Sequence, residues 1–241
     1  MVTATTNRSA KSAESALTSA FRQALPIILG YVPVGFAYGV LAQKSGLSGM
    51  NTLLMSILVF AGSAQLIGVG LFAAGAAPLA IVATTFVVNL RHLLMSAALA
   101  PYLRHWSKTR LALFSYQMTD ETFALHAGRF ARGETGTGET YGINVIAQSA
   151  WVGGTVLGLA ASTLITDIRP IGLDYALPAM FIALLLGQLK SRRHLAVAVI
   201  AGLLSTALML AGLDQSHVLT ATIIAATIGL GVHAWTSSQS S

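Results

Sequence analysis

An all-α, polytopic membrane bundle is the fold class this sequence predicts, and three observations carry the prediction. Of its 241 residues, 54% are apolar and only 9% are charged, whereas a soluble domain carries about a quarter charged residues. The mean hydropathy is +0.71. Apolar runs of about 20 residues, the length that crosses a hydrocarbon core, recur along the chain. An ordinary soluble enzyme and a disordered chain are thereby excluded, and the 23 glycines follow no collagen period. With no cysteine there is no disulfide framework, thiolate metal site or cysteine nucleophile. The net charge of +6 is an orientation signal and not a nucleic-acid face, because the basic residues sit in short clusters between apolar runs.

The elements follow in order. Residues 1–22 are polar and rich in Ser, Thr and Ala, a tail ahead of the first anchor. A single transmembrane domain occupies 23–236, and 237–241 form a second short tail. Spans are predicted at 24–43, 50–72, 78–100, 141–162, 174–189, 194–213 and 217–235. An eighth candidate, Leu111 to His126, carries Asp120 and Glu121 and reads as a short crossing, a re-entrant piece or an interfacial helix, giving 7–8 transmembrane helices. The clusters Arg104, Lys108, Arg110 with Arg129 and Arg132, and Lys190, Arg192, Arg193, mark the cytoplasmic side. If 111–126 does not cross, Arg8, Lys11 and Arg22 are left on the wrong side; if it does, the loop at 101–110 is.

Small-residue patterns suggest repeats at 24–100 and 141–213 joined by a linker at 101–140. Gly35 and Gly39 match Gly154 and Gly158, and Gln65 matches Gln188. With a non-spanning linker the halves form an inverted repeat; with a spanning one they are parallel.

Polar groups inside spans point to function, because an ionisable group at membrane depth costs roughly 2.5–3.5 kcal/mol. Phe60, Ala61, Gly62, Ser63, Ala64 and Gln65 form a weak helical stretch with one amide that lipid cannot satisfy, the pattern of a broken helix at a polar-solute site. Asn89, Leu90, Arg91 and His92 follow in the next span. Arg91 offers a fork of donors to a carboxylate and His92 a proton site. In Tyr116-Gln117-Met118-Thr119-Asp120-Glu121-Thr122, at most one carboxylate faces a cavity; it can carry a proton, pair with Arg91 or bind an ammonium. Pro33 with Gly35 is the second helix-break candidate. His126 falls near a predicted span end, where an interfacial histidine is ordinary. No metal-ligand spacing, phosphate loop or nucleophile elbow occurs, so no cofactor or metal and no enzyme activity are expected.

At these motifs the sequence resembles the AzlC family, the large subunit of two-component branched-chain amino acid exporters. The resemblance is carried by Pro33-Val-Gly-Phe-Ala-Tyr-Gly39, Phe60-Ala-Gly-Ser-Ala-Gln65, Asn89-Leu-Arg-His92 and Thr119-Asp-Glu-Thr122. It implies a multi-pass protein of the bacterial inner membrane exporting leucine, isoleucine and valine, with methionine as a further candidate, on the proton motive force. It also implies a small hydrophobic AzlD-type partner subunit. In this scheme Phe60 to Gln65 with Asn89 and Arg91 bind substrate, and Asp120, Glu121 and His92 couple protons. A channel or passive facilitator for small amino acids or other small polar solutes is the alternative function.

Overall fold

The computed structural model describes residues 2–167, with 2–15 as backbone, then 191–212 and 220–229 except 222, and the single positions 170, 172–175, 178, 179, 182, 185, 186, 189 and 231. About half of each of the predicted spans 174–189 and 217–235 lies outside the described residues, as do Gln188, Lys190 and the tail at 237–241. Contacts divide the chain into two units, residues 1–180 and 181–241. The described residues are helical apart from turns.

In the first unit, α1 (Val2–Lys44) is one continuous helix through Pro26 and Pro33. The expected break at Pro33 and Gly35 is absent; an interior proline removes one helical hydrogen bond, and tight packing on a neighbour holds the helix together. Ser48 caps α2 (Gly49–Leu54), which widens into a π turn at Met55–Val59. Phe60 then takes the left-handed conformation (φ 43°), and α3 (Gly62–Ala73) begins afresh. The α4 helix (Pro78–Asn89), with proline at its first turn, passes through Leu90 into α5 (Arg91–Leu99) and a 3-10 turn at Ala100–Leu103. After Ser107 come α6 (Lys108–Tyr116) and α7 (Asp120–Ala131), separated at 117–119 where Thr119 and Thr122 form a reciprocal cap. The 25-residue α8 (Thr137–Ala161) closes the unit. In the second unit, α9 (Arg192–Leu210) is capped by Ser191.

Among the described residues three helices are long and apolar enough to cross a membrane: Ala16–Lys44, Pro78–Leu103 and Thr137–Ala161. Two of them are welded together. A Cβ on Gly35 would stand 2.7 Å from the Trp151 carbonyl oxygen, and one on Gly154 2.6 Å from that of Val32. Gly39 and Gly158 are likewise closed against the Thr155 and Phe36 carbonyls. Only glycine permits so close an approach, so the matched spacings are the two sides of one helix contact. Ser19 and Gln23 meet Glu139 at the opposite end, so α1 and α8 run in the same direction. Segments 24–100 and 141–213 are therefore not an inverted pair at their first helices.

The span expected at 50–72 does not cross. Its first half reaches Tyr38 through Thr52, Thr155 through Ser56 and Gln148 through Ile57, descending along α8. After the break Gly62 lies against Trp151, but Gly68 and Phe72 return to a cavity wall shared with Leu47, just past the end of α1, and Met55. The 111–126 segment is the same device entering from the other face. Trp106 stacks on Tyr141 and the Tyr141 hydroxyl donates to the Arg110 carbonyl (2.6 Å), near the start of α8. The segment rises to pair Gln117 with Gln148, then descends to Thr140. Two re-entrant helical hairpins thus enter from opposite faces, with tips at 60–63 and 117–120. Re-entrant backbone is tolerated at membrane depth only where protein surrounds it, and both tips meet α8.

Candidate functional site

Each tip is held by side chains that satisfy its freed backbone. On the first, Gln65 Oε1 accepts from the Ala61 N–H (3.2 Å), while Gln65 Nε2 donates to Ser56 Oγ (3.3 Å), itself 2.8 Å from Thr155 Oγ1. The Ile57 carbonyl accepts from Gln148 Nε2 (3.0 Å) and from the Tyr116 hydroxyl. Gln65, fully buried, is thus the brace of the break. Phe60 is buried edge-on to Tyr31, whose ring in turn stands edge-on to Trp151. On the second tip, the Tyr31 hydroxyl lies 2.5 Å from Thr119 Oγ1 and 2.6 Å from Glu121 Oε2; its one proton goes to the carboxylate and the threonine hydroxyl donates to it.

Arg91 joins the tips. Its Nη1 lies 3.0 Å from Asp120 Oδ2 on the second hairpin, and its Nη2 donates to Ser63 Oγ on the first. The guanidinium and carboxylate side chains are 27% and 16% exposed, so the pair is shielded yet reachable. The starts of α3 and α7 converge here, bringing the positive ends of two helix dipoles to the ion pair. Position along the crossings agrees. The midpoints of 16–44, 78–103 and 137–161 fall at residue 30, between 90 and 91, and at 149. Tyr31, Arg91 and Trp151 therefore stand near the middle of the three long apolar helices.

Beside the tips is a cavity of about 260 Å³ lined by Met55, Ala64, Gln65, Gly68, Ile81 and Asn89 among others, near the roughly 300 Å³ at which ligand pockets begin. Its lining is mostly apolar, and Asn89 Oδ1 is buried without a partner among the described residues. Of the residues singled out in the sequence, Ser63, Arg91 and Asp120 meet directly, and Ala64, Gln65 and Asn89 line the cavity. Phe60, Ala61 and Gly62 form the break itself. Glu121 bonds Tyr31 and not Arg91. His92, next to Arg91 in the chain, has its Nε2 buried and without a hydrogen-bond partner among the described residues.

Sequence reasoning missed Tyr31, Gln148 and Trp151, which make the floor of the site together with Tyr116. It also missed a second polar layer. Arg129, expected as a topology signal, is fully buried and pairs with Glu139 (2.5 Å), and His126, expected at an interface, is fully buried against Asn144 Oδ1 (2.8 Å).

A family model described as AzlC protein matches residues 26–165, more than half of the chain. The chain belongs to the AzlC family. That AzlC match takes in α1 from residue 26 onward and all of α2 to α8, every element that builds the two tips. An uncharacterized membrane protein of Archaeoglobus fulgidus is 35% identical over 204 residues, covering 82% of this chain and 87% of that protein. The inner membrane protein YgaZ of Escherichia coli is 29% identical, covering 73% and 74%. The branched-chain amino acid transport protein AzlC of Bacillus subtilis is 27% identical, covering 83% and 79%. No solved structure matches. The protein is accordingly a multi-pass membrane transporter of the AzlC type and not an enzyme.

Proposed function

We propose that this protein exports branched-chain amino acids from the bacterial cytoplasm, with the zwitterion held at mid-membrane between the two hairpin tips. The observation that carries the reading is Arg91 bridging Ser63 and Asp120. A zwitterion fits that bridge by inserting into it. Its carboxylate takes the Arg91 fork and the N-terminus of α3, and its ammonium takes Asp120. The branched side chain enters the apolar cavity past Ala64, where Asn89 marks the polar rim. Protonation of Asp120 from the outer face displaces the ammonium and releases the amino acid there, and loss of that proton to the cytoplasm restores the site, so proton and substrate occupy it alternately and the inward proton gradient drives export, with Glu121 and His92 as the other titratable groups of the site.

With both hairpins non-crossing, two crossings separate the N-terminal tail from the loop at 101–110, and the conflict between basic clusters disappears. Arg8, Lys11, Arg22, Arg104, Lys108, Arg110 and Arg132 share the face on which α1 and α8 begin, against Lys44 on the other. That face is the cytoplasmic one by the positive-inside rule. A small hydrophobic AzlD-type subunit completes the exporter, as the family resemblance implies. The test is counterflow of a labelled amino acid panel in proteoliposomes, with and without the partner and with and without a pH gradient. Leucine, isoleucine and valine exchange, accelerated by the gradient, is expected; flux insensitive to the gradient and unable to run uphill would make the protein a passive facilitator.

A further inference from the structure

The α1–α8 weld and the polar attachment of α7 differ in kind. Gly35, Gly39, Gly154 and Gly158 bring α1 and α8 into backbone contact along their length, and Gly142 continues it, a Cβ there standing 3.0 Å from Ala20 Cβ. By contrast, α7 meets this pair through polar groups at two levels, with Leu125 packed on Ala20, Ala24 and Ile143 between them. Near the middle of the long helices Thr119 and Glu121 meet Tyr31. About 15 Å away, ten residues along α1 or α7 at 1.5 Å each, Arg129 reaches Glu139 and Thr140, and His126 reaches Asn144. Glu139 also accepts from Ser19 Oγ (2.5 Å) and Gln23 Nε2 (2.7 Å) of α1. Arg129, His126, Thr140 and Asn144 are all fully buried, so this layer seals the bundle on the face where α1 and α8 begin.

We propose that α7 is the gating helix of this transporter, and that the Arg129–Glu139 ion pair with His126–Asn144 is the gate on the face carrying the basic residues. One rigid 12-residue helix bears Asp120 at the substrate end and Arg129 at the gate end. A change of charge or occupancy at Asp120 therefore moves both ends together, which is how a mid-membrane event opens a distant face. A buried pair suits a two-state lock: without Glu139 the buried Arg129 guanidinium keeps only its looser contact with the exposed Glu134 carboxylate (3.6 Å), so breaking the pair opens the layer to water. Arg129 and Glu139 are positioning residues on this account, since neither touches the bound zwitterion. The inference rests on the transport reading for its purpose but not for its test.

The chain has no cysteine, so single reporters need no prior replacements. Ala147, fully buried on α8 between the gate and Trp151, reports the gate; Ala42, fully buried on α1 in the opposite half, is the control. In inverted membrane vesicles, Glu139→Gln is expected to raise labelling of Ala147→Cys by an impermeant maleimide about tenfold, or about 1.4 kcal/mol on the closed-to-open balance. Labelling of Ala42→Cys stays at its original rate. Should Glu139→Gln fail to insert, Arg129→Gln with Glu139→Gln leaves no stranded charge and carries the same two measurements. Unchanged labelling at Ala147→Cys, or an equal rise at both reporters as general loosening would produce, overturns the proposal. Gated labelling in a protein that fails amino acid counterflow leaves the gate standing and refutes only the substrate reading.

Discussion

Gly62→Ala tests the seating of the first hairpin tip. A Cβ at Gly62 would stand 2.9 and 3.1 Å from Trp151 ring atoms, against an optimal carbon–carbon contact of about 3.5 Å, so tip and ring must separate by about 0.6 Å. The ring has little room to give: Trp151 is stacked on Tyr38 at 5.9 Å between centroids and meets the Tyr31 edge at 5.6 Å. Over-packing of this kind costs roughly 1–3 kcal/mol. For a chain of this length each kcal/mol is about 2–4 °C, so a 2 kcal/mol loss lowers the unfolding midpoint by roughly 4–8 °C. The same displacement draws Ser63 away from Arg91, and transport should fall with stability. Gly70 in the same helix is the control, since a Cβ there meets nothing within 4 Å; Gly70→Ala should be neutral or stabilising by about 0.5–1 kcal/mol. Adding Trp151→Phe to Gly62→Ala should recover part of the loss. Thermal unfolding in detergent decides the matter: equal midpoints for the two alanine variants would refute the seating of α3 on Trp151.

Gln65→Ala removes the partner of the Ala61 N–H and of Ser56, and should cost about 1–3 kcal/mol in the same unfolding assay, with export lost; unchanged stability would show that the break needs no brace. Gly158→Ala should prevent α1 and α8 from closing and sharply reduce the folded fraction on size exclusion; a normal folded yield would contradict the weld. Single cysteines at Lys108 and Arg132 should label from one and the same face, whereas labelling from opposite faces would make 111–126 a crossing. Outside the spans, hydrogen bonding to Arg132 holds the Glu134 carboxyl below its usual range. A carboxyl lowered on folding adds stability that is present at neutral pH and fades as pH falls through its folded value. Glu134→Gln should therefore flatten the acid limb of the midpoint-against-pH curve slightly, and an unaltered limb would discount this exposed pair.

Much of the site is legible in the amino-acid sequence. Three small residues beside Gly62 and a lone Gln65 mark the first break, and the scarcity of charge singles out Arg91 and Asp120. Hydropathy fails over direction, because an apolar run of 23 residues looks alike whether it crosses or turns back at Phe60. At the second hairpin the signal is local: a Thr119 cap followed by Asp120 and Glu121 is a helix start, so the segment is two helices and not one. The paired glycine spacings fit repetition and contact equally, and spacing alone does not choose between them. Nearness to a predicted span end places Arg129 and His126 at an interface; their i,i+3 relation points instead to one shared face of α7, but no sequence signal links them to Glu139 and Asn144 on the next helix.

The most direct test of the site pairs a change in the protein with a change in the ligand. Binding of leucine, and of its analogue in which a methyl group replaces the carboxylate, is measured on the original protein and on Arg91→Ala by scintillation proximity. If Arg91 receives the carboxylate, the substitution should weaken leucine at least about tenfold, the range of a lost charge-assisted hydrogen bond, and leave the analogue, already weak, unchanged. Equal losses for both ligands, or none for either, would contradict an amino acid held between the two hairpin tips.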